Sequence, residues 1–410
     1  MMPNVLMIHH SRDFESNDVY LVDDYQLANN KLYGAQEMDC WAGFRMLTTQ
    51  FSTFRFQISV NLSSCQLISP NGQILGTWRL NLPTSIKNKV SFNYMKALLI
   101  YLDTSMAQFS DVNLQNLILK ITESIGADLL WVETQFYDCA LPTDVPVIVR
   151  SVNFEPKHVL REDTSPWKYL RFLGKVLSES RVSRRRNVLS ISPRDSWGYK
   201  ILSGHNIPYL PLRQLGYLLG ADQDSYLGQV SPCSAEKYFY LAGSTYDVKH
   251  NLDNLTTVVE KIAPVMAREL PNVHIKVFGN RIPVKVKFPD NVVRMSFQNN
   301  FHKVALGSLG AIVPTKGGAG MQSKVFEPLC LGIPLIAHPS AISGYPFNVT
   351  EHFWCGSNPE ETVTSMSRIA GDPELAINKA RKAQILADSL FNASLLRSLM
   401  NKSIEEALGV

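Results

Sequence analysis

The chain alternates short apolar runs with longer stretches in which apolar residues recur every three or four positions. NVLMIH (4–9) reads as a strand, YGAQEMDCWAGFRMLTTQ (33–50) as a glycine turn and a helix, and RFQISV (55–60) as a second strand. Residues 61–98 are less regular, with a hairpin predicted around Asn71-Gly72. LQNLILKITESIG (114–126) predicts a helix, and ADLLWVET (127–134), VPVIVRSV (145–152) and NVLSIS (187–192) predict strands. Residues 206–236 mix Pro, Gly, Ser and Asp without a period and read as an interdomain linker.

A second alternating series follows. KYFYLAG (237–243), VHIKVFG (273–279), NVVRMS (291–296), LGAIVP (309–314) and IPLIAH (333–338) predict strands. Helical patterns cover 251–270, 320–332, 358–370, 373–391 and 395–408. Strands alternating with helices predict an α/β fold on parallel sheets. The chain is therefore expected to form two Rossmann-like domains, 1–230 and 231–394. Ligands of open parallel sheets bind beyond the carboxyl ends of the strands. Two such sheets facing each other predict a cleft.

Composition narrows the function classes. The chain has 410 residues, 45% of them hydrophobic and 19% charged, which is ample for two globular cores. A net charge of +4 is too balanced for nucleic-acid binding by bulk charge. Cys40, Cys65, Cys139, Cys233, Cys330 and Cys355 form no Cys-x-x-Cys pair and have no histidine cluster nearby. That argues against a zinc site or a disulfide framework and for free thiols in a reducing, cytoplasmic setting. No apolar stretch is long enough to cross a bilayer, and the first residues lack the apolar run of a signal peptide.

The densest chemistry lies in KGGAGMQSKVFEPLCLGIPLIA (316–337). Gly317, Gly318, Ala319 and Gly320 follow a predicted strand and precede a predicted helix, a place where a ligand can approach bare main chain. A helix N-terminus suits phosphate, and Lys316 and Lys324 add full charges. Gly320, Lys324 and Glu327 share one helical face by their spacing. A carboxylate one or two turns into the helix suits ribose hydroxyls, so the combination describes a nucleoside diphosphate. A plain glycine turn with Lys324 and Glu327 as a solvated pair is the other reading of the same spacing.

GGAGMQSKVFEPLCLGIPLIAHPSAISG resembles the C-terminal signature of the GT-B glycosyltransferases of family 4. Members read G-x-G-x-x-x-K-x-x-E-x-x-x-x-G-x-P. Weaker likenesses follow in order over most of 127–390: ADLLWVET with VPVIVRSVNFE, NVLSISPRD, YFYLAGSTYDVKHNLDNL and VHIKVFGNRIP. The resemblance implies an enzyme that moves a sugar from a nucleotide sugar to a saccharide or lipid-linked acceptor, with retention and without a metal or other cofactor. Surface polysaccharide or glycoconjugate assembly is the implied setting, and the helix 395–410 is expected to cross back to the first domain. Glu327 would hold the ribose, and Gly317–Gly320 with Met321 and Gly243 would line the donor, with Lys324 beside the diphosphate. Of the family's basic pair, Lys249 is the nearest candidate and Arg281 another. One departure stands out: many members carry an acid eight positions before the glutamate, where this chain has Ala319.

Other positions carry two readings each. Asn153 and Glu155 follow a predicted strand; a similar pair borders the acceptor side in the family, with Asn153 a candidate for catalysis, or Glu155 simply starts a helix before Pro156. His10, at the end of the first strand, either contacts acceptor or phosphate or is structural. Gly34 either lets donor or acceptor approach or makes a plain turn. Arg181, Arg184, Arg185 and Arg186 form a solvated basic face or a peripheral contact with anionic lipid, with Trp167, Tyr169 and Phe172 upstream. Two other functions share these features. An epimerase of the same fold is disfavoured by Gln322-Ser323, where an acidic pair is usual. A non-catalytic nucleotide-sugar-binding subunit is compatible with Ala319.

Overall fold

The computed structural model describes residues 2–11, 20, 35–59, 61–80, 82, 92–151, 153–211, 237–246, 249–295, 305–316 and 321–409. The chain divides into two compact units, Met1–Gly216 with Ala393–Val410, and Tyr217–Asn392.

The first unit is built on seven strands: β1 (Asn4–Ser11), β2 (Ser52–Ser59), β3 (Ser64–Ile68), β4 (Ile74–Arg79), β5 (Leu129–Val132), β6 (Val147–Ser151) and β7 (Asn187–Ser190). Their order is β4-β3-β2-β1-β5-β6-β7. β2, β1, β5, β6 and β7 are parallel, while β3 and β4 extend the β2 edge antiparallel. Val5–Ile8 of β1 are fully buried. A central parallel strand is covered on both faces, which is why its sequence is a continuous apolar run. At the far edge β4 is mostly exposed, and the predicted turn is present, with Gly72 at φ 89°. Only a glycine takes that left-handed backbone without strain.

Part of the stretch that reads as irregular is a helix, Phe92–Tyr101. Its sequence FNYMKALLIY is apolar around most of its circumference, so it carries no helical period to find. The helices Lys168–Arg185 and Pro193–Ser203 also emerge here, the second started by the Ser192 side chain accepting from Asp195 N–H at 3.1 Å. The C-terminal helix Ala393–Leu408 completes this unit by burying Leu396, Met400 and Ile404.

The second unit has six described strands: β8 (Tyr238–Thr245), β9 (His274–Asn280), β10 (Val292–Arg294), β11 (Gly310–Val313), β12 (Leu335–Ala337) and β13 (Trp354–Cys355). Every pairing is parallel, in the order β10-β9-β8-β11-β12-β13. Counted from the first strand, that is the 3-2-1-4-5-6 order of dinucleotide-binding sheets. The helix predicted over 251–270 is Lys249–Thr257 and Ala263–Glu269 joined by a π turn, Val258–Ile262. Pro264 explains the interruption, because its nitrogen cannot donate into the helical ladder.

The first unit buries charge deeply. Glu133, just beyond β5, and Arg150 of β6 are both without solvent exposure. Arg150 Nε donates to Glu133 Oε2 at 2.7 Å, and Trp131 Nε1 donates to Oε1 at 2.7 Å. Breaking such a pair strands one charge, whereas neutralising both members costs less. Arg150→Met is therefore expected to lower stability by about 3–5 kcal/mol. Adding Glu133→Gln, which keeps an acceptor for Trp131, recovers part of that loss. Urea denaturation of the three proteins checks this, and a double variant no more stable than Arg150→Met refutes it.

Candidate functional site

The sheet order of the second unit fixes where a site can form. From β8 the chain crosses to β9 on one side, and from β11 it crosses to β12 on the other. Parallel crossovers are right-handed, so the two connecting helices lie on opposite faces and their starts diverge at the carboxyl ends of β8 and β11. Lys249–Thr257 and its continuation pack on one face, where Val265 and Met266 share a core with Val363, Met366 and Ile369. Ser323–Cys330 packs on the other, with Phe326 against Phe391 at 5.2 Å between ring centres.

A polar tie crosses this gap. Lys324, on the first turn of Ser323–Cys330, donates through Nζ to Asn251 Oδ1. Asn251 is 3% exposed and its Nδ2 donates to Thr245 O, at the end of β8, at 2.6 Å. One helical turn on, Asn254 Nδ2 donates to Thr315 Oγ1, just beyond β11, at 2.7 Å. The ammonium group is thus set at the switch point, and the two strand ends are stitched to one helix. Sequence reading did not single out Asn251, Asn254 or Thr315. Neutral amides carry no charge pattern, and their role comes only from the strand order.

The start of Ser323–Cys330 has no side-chain cap. Its Gln322 carbonyl instead accepts from Tyr345 OH at 2.6 Å, which anchors the entry to the helix. Met321 beside it is buried. Glu327, one turn beyond Lys324, is half-buried. Burial, and then the Glu327 carboxylate, push the Tyr240 hydroxyl of β8 well above its ordinary value, so the acid stands close to the sheet. Lys316 lies exposed beyond β11 and, after burial, helps hold the His338 imidazole below its usual value. Gly317, Gly318, Ala319 and Gly320 lie outside the described residues, as does Gly34.

Other predicted residues of this unit make contacts of their own. Lys249 is exposed and pairs with Asp253 at 2.7 Å. Arg281 follows β9 with a left-handed backbone, φ 53°, a strained state for a residue with a Cβ. Gly243 serves packing: a Cβ there would come within 2.8 Å of the Tyr246 ring, and one on Gly279 would come within 2.0 Å of Gly243 O. The two glycines let β8 and β9 close over Tyr246, whose hydroxyl donates to Phe278 O at 3.1 Å.

In the first unit His10 sits between Phe109 and Tyr137, with ring centres 5.7 and 5.1 Å away, and burial lowers its pKa to about 4. The imidazole is neutral at physiological pH. Asn153 O accepts from Ser151 Oγ at 2.8 Å. Glu155 opens the helix Glu155–Glu162, and its N–H donates to Glu179 Oε1 at 3.4 Å. Glu179 also accepts from Gln135 Nε2 and lies against Tyr199 OH, each at 2.7 Å, and Tyr199 OH is 2.6 Å from Ser151 Oγ. Burial raises the Glu179 pKa to about 8. This network underlies both Asn153 and Glu155. Among the described residues, no three His, Cys, Asp or Glu side chains are grouped to hold a metal ion, and no helix is long and apolar enough to cross a membrane.

No protein-family model matches the chain, and no curated protein matches it. Solved structures do. Sucrose-phosphate synthase from Thermosynechococcus elongatus is 12% identical, with TM-score 0.64 over 99% of each chain. Anabaena HepE in complex with UDP is 11% identical, with TM-score 0.56 over 99% of this chain and 100% of that one. TarM is 9% identical, with TM-score 0.54 over 100% of this chain and 99% of that one. The chain has the GT-B fold. Within that fold, the second unit carries the Lys324–Asn251 tie and the first carries the Glu179 network.

Two outcomes follow from this geometry. Gly243→Ala is expected to cost about 1–3 kcal/mol by overpacking, read as a lowered denaturation midpoint; an unchanged midpoint would mean that Tyr246 has room to move. Glu179 binds its proton more tightly folded than unfolded. Its contribution to stability is complete below the unfolded value of 4.5 and is lost as pH rises towards about 8. Glu179→Gln should flatten the decline in melting temperature across that window, and a decline as steep as in the parent protein would contradict the raised pKa.

Proposed function

We propose that this protein is a glycosyltransferase that moves a sugar from a nucleotide-sugar donor to a saccharide or lipid-linked acceptor, and that its second unit binds the donor. The observation that carries this reading is the Lys324 ammonium, set on Asn251 at the switch point beside a helix start that no side chain caps. The positive end of a helix and a nearby cation suit a diphosphate. Glu327, a turn further on, is assigned to the ribose hydroxyls, and the Gly317–Gly320 segment with Met321 to the diphosphate. Anabaena HepE, of the same fold, has been solved with UDP, with UDP and glucose, and with UDP-glucose.

The chemistry follows from where charge develops. As the glycosidic bond to the donor breaks, negative charge grows on the departing diphosphate. A fixed donor aimed at such charge lowers the barrier by about 3–4 kcal/mol. Lys324 is given that role, with Lys249 as the second cation. These groups act without a metal ion, and transfer with retention is part of the same proposal. Asn153, Glu155 and His10 are assigned to the acceptor side; a neutral His10 offers a hydrogen bond rather than a charge. The reaction is placed in the cytoplasm, in surface polysaccharide or glycoconjugate assembly.

A thermal-shift screen of nucleotides and nucleotide sugars tests the donor site. A ligand at 100 times its Kd adds about 2.7 kcal/mol of stability. The shift from the best nucleotide is expected to vanish in Glu327→Ala and to shrink in Lys324→Met. An unchanged shift in both variants would remove the site from this helix. Slow release of free nucleoside diphosphate from the donor separates a transferase from a subunit that only binds, and recovery of an inverted sugar nucleotide would reveal an epimerase.

A further inference from the structure

Large apolar side chains are exposed on two neighbouring helices of the first unit. On Lys168–Arg185 the buried face is Gly174, Lys175, Ser178, Glu179 and Val182. Opposite it, at helical spacing, run Leu170, Leu173 and Leu177, which are 64%, 49% and 38% exposed. The same stripe continues as Arg181 and Arg184, both exposed. Trp167 and Tyr169 stand exposed at the start of the helix. On Phe92–Tyr101 and just after it, Met95, Leu99, Ile100 and Leu102 are exposed, Leu99 by 73%.

The two helices are held close together. Gly174 is a glycine because Leu102 O lies 2.1 Å from where its Cβ would be. Asp103 accepts from Lys175 Nζ at 3.0 Å and from Ser178 Oγ at 3.0 Å, which locks the second helix to the end of the first. Apolar side chains gathered on one exposed face mark a site of interaction with a protein or a membrane.

Charge identifies the occupant. The sequences FNYMKALLIY and KYLRFLGKVLSESRVSRR contain one acid, Glu179, and it is fully buried. Their exposed charges are Lys96, Arg171, Arg181, Arg184 and Arg185, with Lys168 half-buried. Arg171 and Arg185 answer acids nearby, Asp163 at 3.1 Å and Asp138 at 3.7 Å, while Arg186 is buried on Asp138. Where the stripe ends, Arg184 borders a cavity of about 570 Å³ that is also lined by Arg185, Arg186, His205, Asp144 and Glu406. Leucines and aromatic rings flanked by cations match a lipid surface with anionic headgroups, where the rings sit at headgroup level and the cations meet phosphate.

We propose that this face of the first unit, formed by Phe92–Tyr101 and Lys168–Arg185, docks on an anionic phospholipid membrane. Leu170, Leu173 and Leu177 enter the acyl boundary, and Arg181 and Arg184 hold the headgroups. The surface belongs to the first unit and does not depend on the donor reading, so vesicle binding and nucleotide binding are measured separately.

Flotation of the full chain with vesicles tests this. Binding is expected to phosphatidylcholine mixed with phosphatidylglycerol, weakening as salt is added, with little binding to pure phosphatidylcholine. Arg181→Gln and Arg184→Gln should each weaken binding about fivefold. Leu173→Glu with Leu177→Glu should abolish it while leaving the unfolding midpoint unchanged. Failure to float with either vesicle, or equal flotation of the leucine variant, overturns the proposal. So does a concentration-dependent dimer in light scattering that the leucine variant abolishes, because the face would then be covered by a second copy.

Discussion

The second unit depends on one topological constraint: parallel strands need long crossovers, and those crossovers have a fixed hand. Once β9 lies on one side of β8 and β11 on the other, the helices that follow β8 and β11 must part. The gap between their starts cannot be filled by a strand or by either helix. Asn251, Asn254, Thr315 and Lys324 are the chain's way of holding that gap open yet ordered. Each satisfies a polar group that burial would otherwise make costly. The arrangement sets a cation beside a helix start that no side chain caps, at the carboxyl edge of the sheet.

The two units handle charge differently. The first takes Glu133, Arg150 and Asp103 into its interior as charges, and Glu179 as a group that burial keeps protonated, and answers each with specific partners. Such groups define geometry, because only one arrangement satisfies them all. The core of the second unit around β8 and β9 is apolar, and its polar ties gather at the carboxyl edge. In the first unit the outward side of Lys168–Arg185 reverses the usual pattern, with leucines towards solvent and an acid inside. Glu179 is tolerated there because Gln135, Tyr199 and the Glu155 N–H converge on it.

Much of the α/β order was legible along the chain, because buried parallel strands such as VLMI and GAIV are continuous apolar runs between polar turns. The position of Lys324 on the first turn of a helix was legible too, because the apolar period that follows marks where the helix begins. What escaped was whatever depends on partners remote in sequence. Trp354–Cys355 is a strand only because β12 lies beside it. Phe92–Tyr101 hides because both of its faces are apolar, and Gly243 needs a glycine for the ring of Tyr246. Lys249 pairs with Asp253 on its own helix, while Asn251 two residues on, buried against the end of β8, carried no signal along the chain.

The first unit is discontinuous along the chain. Every described strand of both sheets precedes Ala393, and the helix that buries Leu396, Met400 and Ile404 against the first unit follows them all. During synthesis the second unit can therefore close while the first still waits for Ala393–Leu408 with an apolar face uncovered. Chains cut before Ala393 would expose that face to chaperones and proteases, so folding of the first unit hinges on a segment made after the whole of the second.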